Sequence, residues 1–436
     1  MIFLRNHDEF KDELLRRKRA FDTQRHRRNR ILTRTLCAAV CLCLIFSFAF
    51  QPATVNAENL LAGYTPKPVN ERAPDDAFTA AQMDFALNLL KGSYTGENTL
   101  VSPLSATLAL SMLANGAEGE TLSQIEDVLC GSIPIENWNE YLKYYVNHLP
   151  TSNKVKLHQA NSIWFADSPT LSLRPGFLQT VTDYYNAELY AAPFDDNTKN
   201  EINNWISDNT DGLIENALNE LNGVMCLINA LVFDGKWADP YKEDSISDRP
   251  FHNADGTTET VDMMFCKISG YLQSDSARGF MKHYDGGDYA FVAILPNEDL
   301  TLTEYLANLT AEELTELLHS SERGEVQTGL PQFEYEYDFY LDDTLKDLGM
   351  TDAFDPTRAN FSSMANDLYV GSILQKTRIT VDAKGTKAAA TTIVTMVPSS
   401  APIQAEPIIL DRPFLYMIVD TQTNLPIFLG TVTDLG

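Results

Sequence analysis

The sequence predicts an α+β fold with large antiparallel sheets, because its helical patterns come first along the chain and its strand patterns come later. Apolar residues recur with helical spacing from Ala77 onward, whereas apolar runs of strand length dominate after Met225. Of the 436 residues, 44% are hydrophobic, which is enough to bury a large core. No repeat or composition break divides the chain after residue 77, so we expect one domain over 77–436.

Three helices are predicted between residues 77 and 131. The first carries apolar residues at the spacing i, i+3, i+4, i+7, namely Met83, Ala86, Leu87 and Leu90. The second begins at the cap Ser102, followed by a first-turn proline, and ends near Gly116. The third is expected to start at a capping box formed by Thr121 and Gln124 and to stop at Gly131. Further helices are predicted at about 174–188, 199–208 and 302–319.

Strand patterns dominate the second half of the chain. Residues 225–233 are almost continuously apolar, which is typical of a central strand. Residues 289–295 and 370–381 are predicted as further strands. Two apolar runs at 414–420 and 426–432 are joined by a short polar turn and predict a hairpin.

Residues 1–57 are predicted to be a basic leader with a hydrophobic export signal or anchor. Basic clusters precede the apolar run 36–50, and small residues follow as far as Ala57. The run is short for a spanning helix, which needs about 20 apolar residues, but the leader is long for a cleaved signal. Both alternatives place the domain outside the cytoplasm. Residues 58–76, with three prolines and no periodicity, are predicted to be a linker.

Charge is distributed unevenly along the chain. Residues 1–57 hold 11 of the 33 basic and 5 of the 60 acidic residues, so the remainder carries a formal charge of −33. Such a surface repels phosphate backbones and anionic membranes. We therefore expect no nucleic-acid or polyanion partner, and membrane contact only through an N-terminal anchor.

The sequence contains no pattern that predicts catalysis or a metal site. Five histidines follow the leader, none paired at metal-ligand spacing, and they are His148, His158, His252, His283 and His319. The three cysteines beyond the leader are scattered and are expected to be buried thiols, namely Cys130, Cys226 and Cys266. We expect neither an enzyme nor a bound metal or cofactor.

A segment of small residues near the carboxyl end predicts a conformational switch. Residues 384–392 read KGTKAAATT and lead into a polar run that contains prolines and extends to Glu406. Alanine and threonine side chains are small enough for this segment either to lie exposed or to slide between two strands. Gly385, which lacks a Cβ, is the natural pivot.

Nine groups of motifs occur in an order that resembles the serpins. In chain order they are NTLVSPLS at 98–105 with ALSM at 109–112 and GAEGET at 116–121, LHQANSIW at 157–164, INNW at 202–205, NALVFDGKW at 229–237, MM at 263–264, LPQF at 330–333, LGM at 348–350 with AF at 353–354, DRPF at 411–414, and FLG at 428–430. The resemblance covers about 77–436. It implies the serpin fold, with large mixed or antiparallel sheets, eight or nine helices and an exposed reactive-centre loop at about 383–407.

The resemblance also implies a function, namely irreversible suicide inhibition of serine proteases. In that mechanism the protease cuts the loop, and the loop inserts as a new strand in the main sheet while the acyl-enzyme is trapped. The hinge that begins this insertion matches Gly385, Thr386, Ala388, Ala389, Ala390 and Thr392. The polar shutter beneath the sheet matches Ser102, Ser105, Asn229 and Gln375. The breach matches Trp237.

Three positions depart from the family pattern. Gln375 stands where the family usually has a histidine, Ala383 where it has a glutamate, and Lys387 where an acidic residue is common. Strand residues alternate faces, so insertion requires one core-compatible face. That face holds small or apolar residues, namely Thr386, Ala388, Ala390, Thr392, Val394 and Met396. Lys387 falls on the other face, where its charge reaches solvent.

Family spacing places the scissile bond between Ser399 and Ser400. The segment that follows is longer than usual, so Met396, Val397 and Ala401 stay open as alternatives. No arginine or lysine lies between Lys387 and Arg412, which disfavours trypsin-like targets and favours elastase-like or subtilisin-like proteases.

The expected molecule is an extracellular monomer of bacterial type, either secreted or tethered to the outer face of the membrane. A non-inhibitory binding or carrier protein of the same fold is the alternative function, because Ala383 and Gln375 depart from the inhibitory pattern.

Overall fold

The structure is a computed structural model that describes residues 57–152, 154–214, 218, 221, 223–320, 322–386 and 405–436. Within these residues the chain forms nine α-helices and two large β-sheets, which confirms the predicted α+β class. None of the helices in this part of the chain has both the length and the apolar character needed to cross a membrane.

The helices are α1 (Asp76–Ser93), α2 (Pro103–Gly116), α3 (Gly119–Leu129), α4 (Ile135–His148), α5 (Pro175–Tyr184), α6 (Asp196–Asn209), α7 (Leu302–Asn308), α8 (Ala311–His319) and α9 (Asp342–Asp347). The predicted cap at Ser102 is confirmed, because its side chain accepts from the backbone N–H of Ser105. The single helix predicted over 302–319 is wrong. Two helices form there, since Thr310 and Glu313 build a capping box that starts α8.

The capping box predicted at Thr121 and Gln124 is also wrong. Helix α3 begins two residues earlier, at Gly119. The Thr121 hydroxyl instead accepts from the backbone N–H of Asn360, 3.0 Å away. The Gln124 carbonyl accepts from two backbone N–H groups, those of Thr351 and Asp352, at 3.0 and 2.9 Å. Both polar side chains therefore fasten α3 to a distant segment of the chain.

The strands are β1 (Glu58–Asn59), β2 (Thr99–Val101), β3 (Val155–Ala166), β4 (Glu188–Ala192), β5 (Met225–Lys236), β6 (Ile246–His252), β7 (Thr258–Gln273), β8 (Ala277–His283), β9 (Tyr289–Pro296), β10 (Glu322–Pro331), β11 (Phe333–Tyr340), β12 (Ser372–Asp382), β13 (Gly385–Thr386), β14 (Ile408–Ile409), β15 (Phe414–Asp420) and β16 (Pro426–Val432). The predicted hairpin is confirmed as β15 and β16, which pair antiparallel.

Seven of these strands form the sheet that carries the candidate site, in the order β1-β4-β3-β5-β13-β12-β11. Strand β5 is buried along almost its whole length, as its continuous apolar sequence predicts. The other nine strands form a second sheet, in the order β14-β10-β7-β8-β9-β15-β16-β2 with β6 paired to β7. Helix α2 lies against β5 of the first sheet and β16 of the second, and the side chains of Ser102 and Ser105 at its start bond to β16 and β5 respectively.

Part of the segment 58–76 is folded onto the domain. Strand β1 pairs antiparallel with β4, at the edge of the seven-stranded sheet. Leu60, Leu61 and Tyr64 are partly buried against the main core. The backbone N–H of Lys67 donates to the Asp183 carboxylate on α5, 2.7 Å away.

Candidate functional site

The seven-stranded sheet opens between its two central strands. Parallel pairing of β5 with β12 runs from Ser372 opposite Cys226 to Thr377 opposite Leu231. The described residues show no β5–β12 pairing beyond this point. Instead β13 lies between the two strands, antiparallel to both, with Thr386 opposite Val381 on one side and Gly235 on the other. The chain has therefore turned back on itself and placed two residues in the opening.

The turn that precedes β13 is held by several hydrogen bonds. The Asp382 carboxylate accepts from the backbone N–H groups of Lys384 and Gly385, at 2.7 and 3.1 Å. The backbone carbonyl of Ala383 accepts from the N–H of Tyr241, and that of Lys384 accepts from the N–H of Trp237, at 2.9 and 3.0 Å. These bonds connect the start of the predicted loop to the segment that follows β5.

Gly385 allows the close approach of the returning strand. A Cβ built at this position would lie 2.1 Å from the carbonyl oxygen of Gly235 and 2.8 Å from Cα of Lys236. Both are backbone atoms, so no side-chain rotation relieves the clash. The predicted pivot therefore has a steric reason to be glycine in addition to its backbone freedom.

Trp237, the predicted breach residue, is 1% exposed and lies at this end of the sheet. Its ring stacks on Tyr284 with the centroids 4.6 Å apart. Its indole N–H donates to the backbone carbonyl of Asp382, 2.9 Å away. The hydroxyls of Tyr284 and Thr386 are 2.7 Å apart, so the buried hydroxyl of Thr386 has a hydrogen-bond partner. Burial raises the pKa of Tyr284, so its hydroxyl stays protonated.

Lys282 completes this cluster, which we call the breach cluster: Trp237, Tyr241, Lys282, Tyr284 and Thr386. The Lys282 ammonium lies 4.3 Å from the ring centroid of Tyr241 and 5.4 Å from that of Trp237. It donates to the backbone carbonyl of Asp239, 2.8 Å away. Desolvation by burial lowers the pKa of Lys282. Sequence reasoning missed Tyr241, Lys282 and Tyr284, although a lysine in the apolar strand β8 was a usable signal.

The predicted shutter residues are brought together beneath the paired part of β5 and β12. The Gln375 side chain makes two bonds to the backbone of Ser102: its carbonyl accepts from the N–H at 2.8 Å, and its amide donates to the C=O at 2.9 Å. The Ser102 hydroxyl donates to the backbone carbonyl of Ile427, 3.0 Å away. A primary amide is well suited to this role, because it donates and accepts in one plane.

A second chain of bonds crosses the same region. The Ser105 hydroxyl donates to the side-chain carbonyl of Asn229. The side-chain NH₂ of Asn229 donates in turn to the side-chain carbonyl of Asn161, 2.6 Å away. Asn229 and Gln375 are direct partners across the β5–β12 pair. The side chains of this region are at most 4% exposed, and none of them carries an ionisable group; they are Ser105, Asn161, Asn229 and Gln375. Asn161 was missed, although it lies inside the quoted motif 157–164.

The outer face of the opening is covered by the turn after α6. The Arg378 guanidinium on β12 donates to the backbone carbonyl of Leu213, 3.3 Å away, and pairs with Glu334 and Glu336 on β11. On the other side of the opening, His158 of β3 lies 3.5 Å from the Asp211 carboxylate. The turn thus contacts the sheet on both sides of the place where a strand would enter.

The remaining predicted site residues lie outside the described residues. They are the hinge positions Ala388, Ala389, Ala390 and Thr392, and the reactive-bond positions Met396, Val397, Ser399, Ser400 and Ala401. Among the described residues no group of three or more His, Cys, Asp or Glu side chains is arranged to hold a metal ion.

The site is therefore a sheet that opens between β5 and β12, with Gly385 and Thr386 of the returning chain paired to both strands. The family model described as Serpin (serine protease inhibitor) matches residues 80–435. The chain therefore belongs to the serpin family.

Relatives and solved structures agree with this assignment. Iripin-5 of Ixodes ricinus is 30% identical over 80% of this chain and 93% of its own length. A serpin-like protein of Methanosarcina acetivorans is 29% identical over 84% and 90%. The crystal structure of tengpin, a thermophilic serpin, in its native state matches with a TM-score of 0.84 and 41% identity, over 87% of this chain and all of that one.

Proposed function

We propose that this chain is an irreversible suicide inhibitor of serine proteases, in which the cut loop inserts between β5 and β12. Its family supports a protease inhibitor in general terms. The observation that carries the proposal for this chain is the position of Gly385 and Thr386. They occupy the opening and pair with both neighbouring strands.

The seated residues fix the register of the rest of the strand. Thr386 lies opposite Gly235 of β5 and Val381 of β12, and β13 is antiparallel to both strands. Each residue added after Thr386 would therefore pair with the preceding residue of β5 and the preceding residue of β12. If the pairing continues in this register, Thr392 would lie between Asn229 and Gln375, which pair directly with each other before insertion. A small hydroxyl side chain thereby enters the shutter, where amide groups are available to bond it.

The length of the opening agrees with the predicted cut site. Strand β12 begins at Ser372, and the same register places that residue opposite position 395 of the loop. Residues 385–395 would therefore fill the sheet after insertion. Every candidate position for the reactive bond, from Met396 to Ala401, lies beyond this stretch. A cut at any of them leaves the inserting strand whole.

The face and the energy of the inserted strand also support the proposal. Thr386 is buried, and strand residues alternate faces, so in an inserted strand the residues of the same parity would face the same side. About ten new strand hydrogen bonds at about 1 kcal/mol each would form, and several apolar side chains would be buried at about 1–2 kcal/mol each. That total, reduced by the entropy of ordering the loop, is comparable with the whole stability of a domain, about 5–15 kcal/mol.

The comparison with tengpin provides a reference for the native state. The TM-score is 0.84 against its native-state crystal structure and 0.74 against its latent-state structure. The direct β5–β12 pairing in this chain is the corresponding local feature. We propose that the described conformation corresponds to the native, inhibitory state.

The loop composition favours elastase-like or subtilisin-like targets, since no basic residue lies between Lys387 and Arg412. The basic leader and the apolar run favour an extracellular location, secreted or tethered at the outer face of the membrane. The test is incubation with elastase-like, subtilisin-like and trypsin-like proteases. We expect SDS-stable adducts with the first two, and mass spectrometry of the released C-terminal peptide to give the cut site. Cleavage without any adduct would exclude inhibition.

The second candidate is a non-inhibitory binding or carrier protein of the same fold. Ala383, which replaces the glutamate of the family pattern, is the observation that favours it. Thyroxine-binding globulin with bound thyroxine, at 24% identity and a TM-score of 0.72, shares the fold. Heating before and after loop cleavage separates the two candidates. An inserted strand raises the melting temperature strongly, whereas a loop that stays outside leaves it nearly unchanged.

A further inference from the structure

An acidic side chain, Asp234, stands on the outer face of the sheet opening, immediately beyond the seated Thr386. Thr386 is buried between Gly235 of β5 and Val381 of β12. Strand residues alternate faces, so the neighbouring residues Asp234 and Thr380 are on the outer side, and both are only partly buried. The next residue of an inserting strand would therefore lie between Asp234 and Thr380, with its side chain on the same face.

The charges along this row of the sheet alternate in sign. Lys156 of β3 is the direct cross-strand partner of Asp234, and Glu334 of β11 is that of Thr380. Neighbouring strands lie about 4.8 Å apart. An inserted side chain would thus have the carboxylate of Asp234 on the adjacent strand and that of Glu334 two strands away. The row offers this position two negative charges.

Three other charged side chains lie at diagonal positions to the same place in the row, namely Lys236, Arg378 and Asp382. Diagonal neighbours are about 7–8 Å away, compared with about 4.5–5.5 Å for a direct partner. Arg378 already pairs with two carboxylates on β11. The Asp382 carboxylate accepts from the backbone N–H groups of the turn before β13. Asp234 is therefore the charge that acts most strongly on an incoming side chain.

We propose that Asp234 is a specificity-determining residue for loop insertion, which selects a cation at the position that follows Thr386. This inference rests on the proposed inhibitory function. The position is held by Lys387, where the family pattern commonly has an acidic residue. Opposite charges that face each other across two strands stabilise a sheet, and like charges destabilise it. A carboxylate at position 387 would oppose insertion here, so the lysine is the residue type that this sheet accepts.

The pairing is tested by a double-substitution cycle on the full chain, with an elastase-like or subtilisin-like protease. The measured quantity is the ratio of hydrolysed to trapped inhibitor, which equals the rate of acyl-enzyme hydrolysis divided by the rate of insertion. Asp234→Asn and Lys387→Gln should each raise this ratio about threefold. The double variant should also raise it about threefold, because both substitutions remove the same pair. A rise of about ninefold, as independent effects would give, overturns the pairing.

The sign of the charge is tested with Lys387→Glu, which should raise the ratio about tenfold, and only about threefold when combined with Asp234→Asn. Lys387→Arg should leave the ratio unchanged. Salt at about 1 M, where the Debye length is about 3 Å, should reduce these differences, whereas a packing effect would persist. Asp343→Asn is the matched control, because it neutralises an exposed carboxylate on α9, after the far end of β11. A Lys387→Glu ratio no higher than that of Lys387→Gln would also overturn the pairing.

Failure of the proposed function gives a different result from failure of the pairing. If the wild type traps protease but the two positions show no coupling, the pairing alone is wrong. If the wild type is cut without any adduct, inhibition fails, and the same cycle is measured as the free energy of unfolding of the cleaved proteins in urea. Coupling between positions 234 and 387 in that assay supports the pairing, and its absence overturns it.

Discussion

Thr386→Arg is the substitution that should block insertion at its first step. Thr386 is 2% exposed, lies between β5 and β12, and has its hydroxyl 2.7 Å from that of Tyr284. Arginine there would have to bury a guanidinium at a cost of several kcal/mol, and would lose a hydrogen bond worth about 1 kcal/mol. We therefore expect the arginine to expel β13 from the opening and to prevent the strand from following.

The magnitude follows from the barrier. An added cost of about 3 kcal/mol slows insertion about 150-fold, since each 1.36 kcal/mol is a factor of ten in rate. Hydrolysis of the acyl-enzyme would then outrun insertion, and the variant should behave as a substrate. SDS gels and the stoichiometry of inhibition measure this partition directly.

Two control variants make the result specific to burial. Lys384→Arg places an arginine two residues earlier, at an exposed position in the turn, and should inhibit normally. Thr386→Val removes the hydroxyl but stays apolar, and should keep most of the inhibition. Trapping by Thr386→Arg at the rate of Lys384→Arg would refute the reasoning.

Three further perturbations follow from the described contacts. Gln375→Glu replaces the amide donor to the Ser102 carbonyl with a buried carboxylate, and should lower the free energy of unfolding by about 2–4 kcal/mol near neutral pH, less in acid, as measured by urea titration. Gly385→Ala should destabilise the uncut protein by about 1–3 kcal/mol in the same assay, whereas Gly176→Ala, where nothing lies within 4 Å of the new Cβ, should not destabilise it. Burial raises the pKa of Asp342 above its ordinary 3.8, so the folded state binds a proton at this carboxyl more tightly than the unfolded state does. The resulting contribution to stability is fully present below pH 3.8 and is lost as the pH rises from 3.8 to the raised pKa. Asp342→Asn should remove this decrease in melting temperature from a pH series of thermal unfolding, and an unchanged decrease would contradict the assignment.

The sequence was sufficient to predict two strands of the seven-stranded sheet, β5 and β12, and the capped start of helix α2. Strand β5 is a long, nearly continuous apolar run, β12 alternates in part, and Ser102 carries a local cap signal, so the positions of these elements follow from short-range patterns. Helix α4 was not predicted, because it lacks a cap: Pro134 precedes it and offers no side-chain bond. The division of 302–319 into two helices depended on a single capping box at Thr310.

The seated hinge was beyond sequence reasoning. The pattern indicated that Gly385 is a pivot, but whether β13 already lies in the sheet depends on Trp237, Tyr241 and Tyr284, which are about 100 residues or more away in the chain. Such contacts leave no periodic signal, because each residue type also fits an ordinary core. The same holds for the two bonds of Gln375 to the Ser102 backbone, which local sequence does not encode.

The crystal structure of the protein after cleavage of its loop tests the central claim most directly. We expect residues 385–395 to separate β5 from β12 along their whole length, with Thr392 between Asn229 and Gln375. Direct pairing of Ser372–Thr377 with Cys226–Leu231, retained as in the uncut protein, would contradict the account.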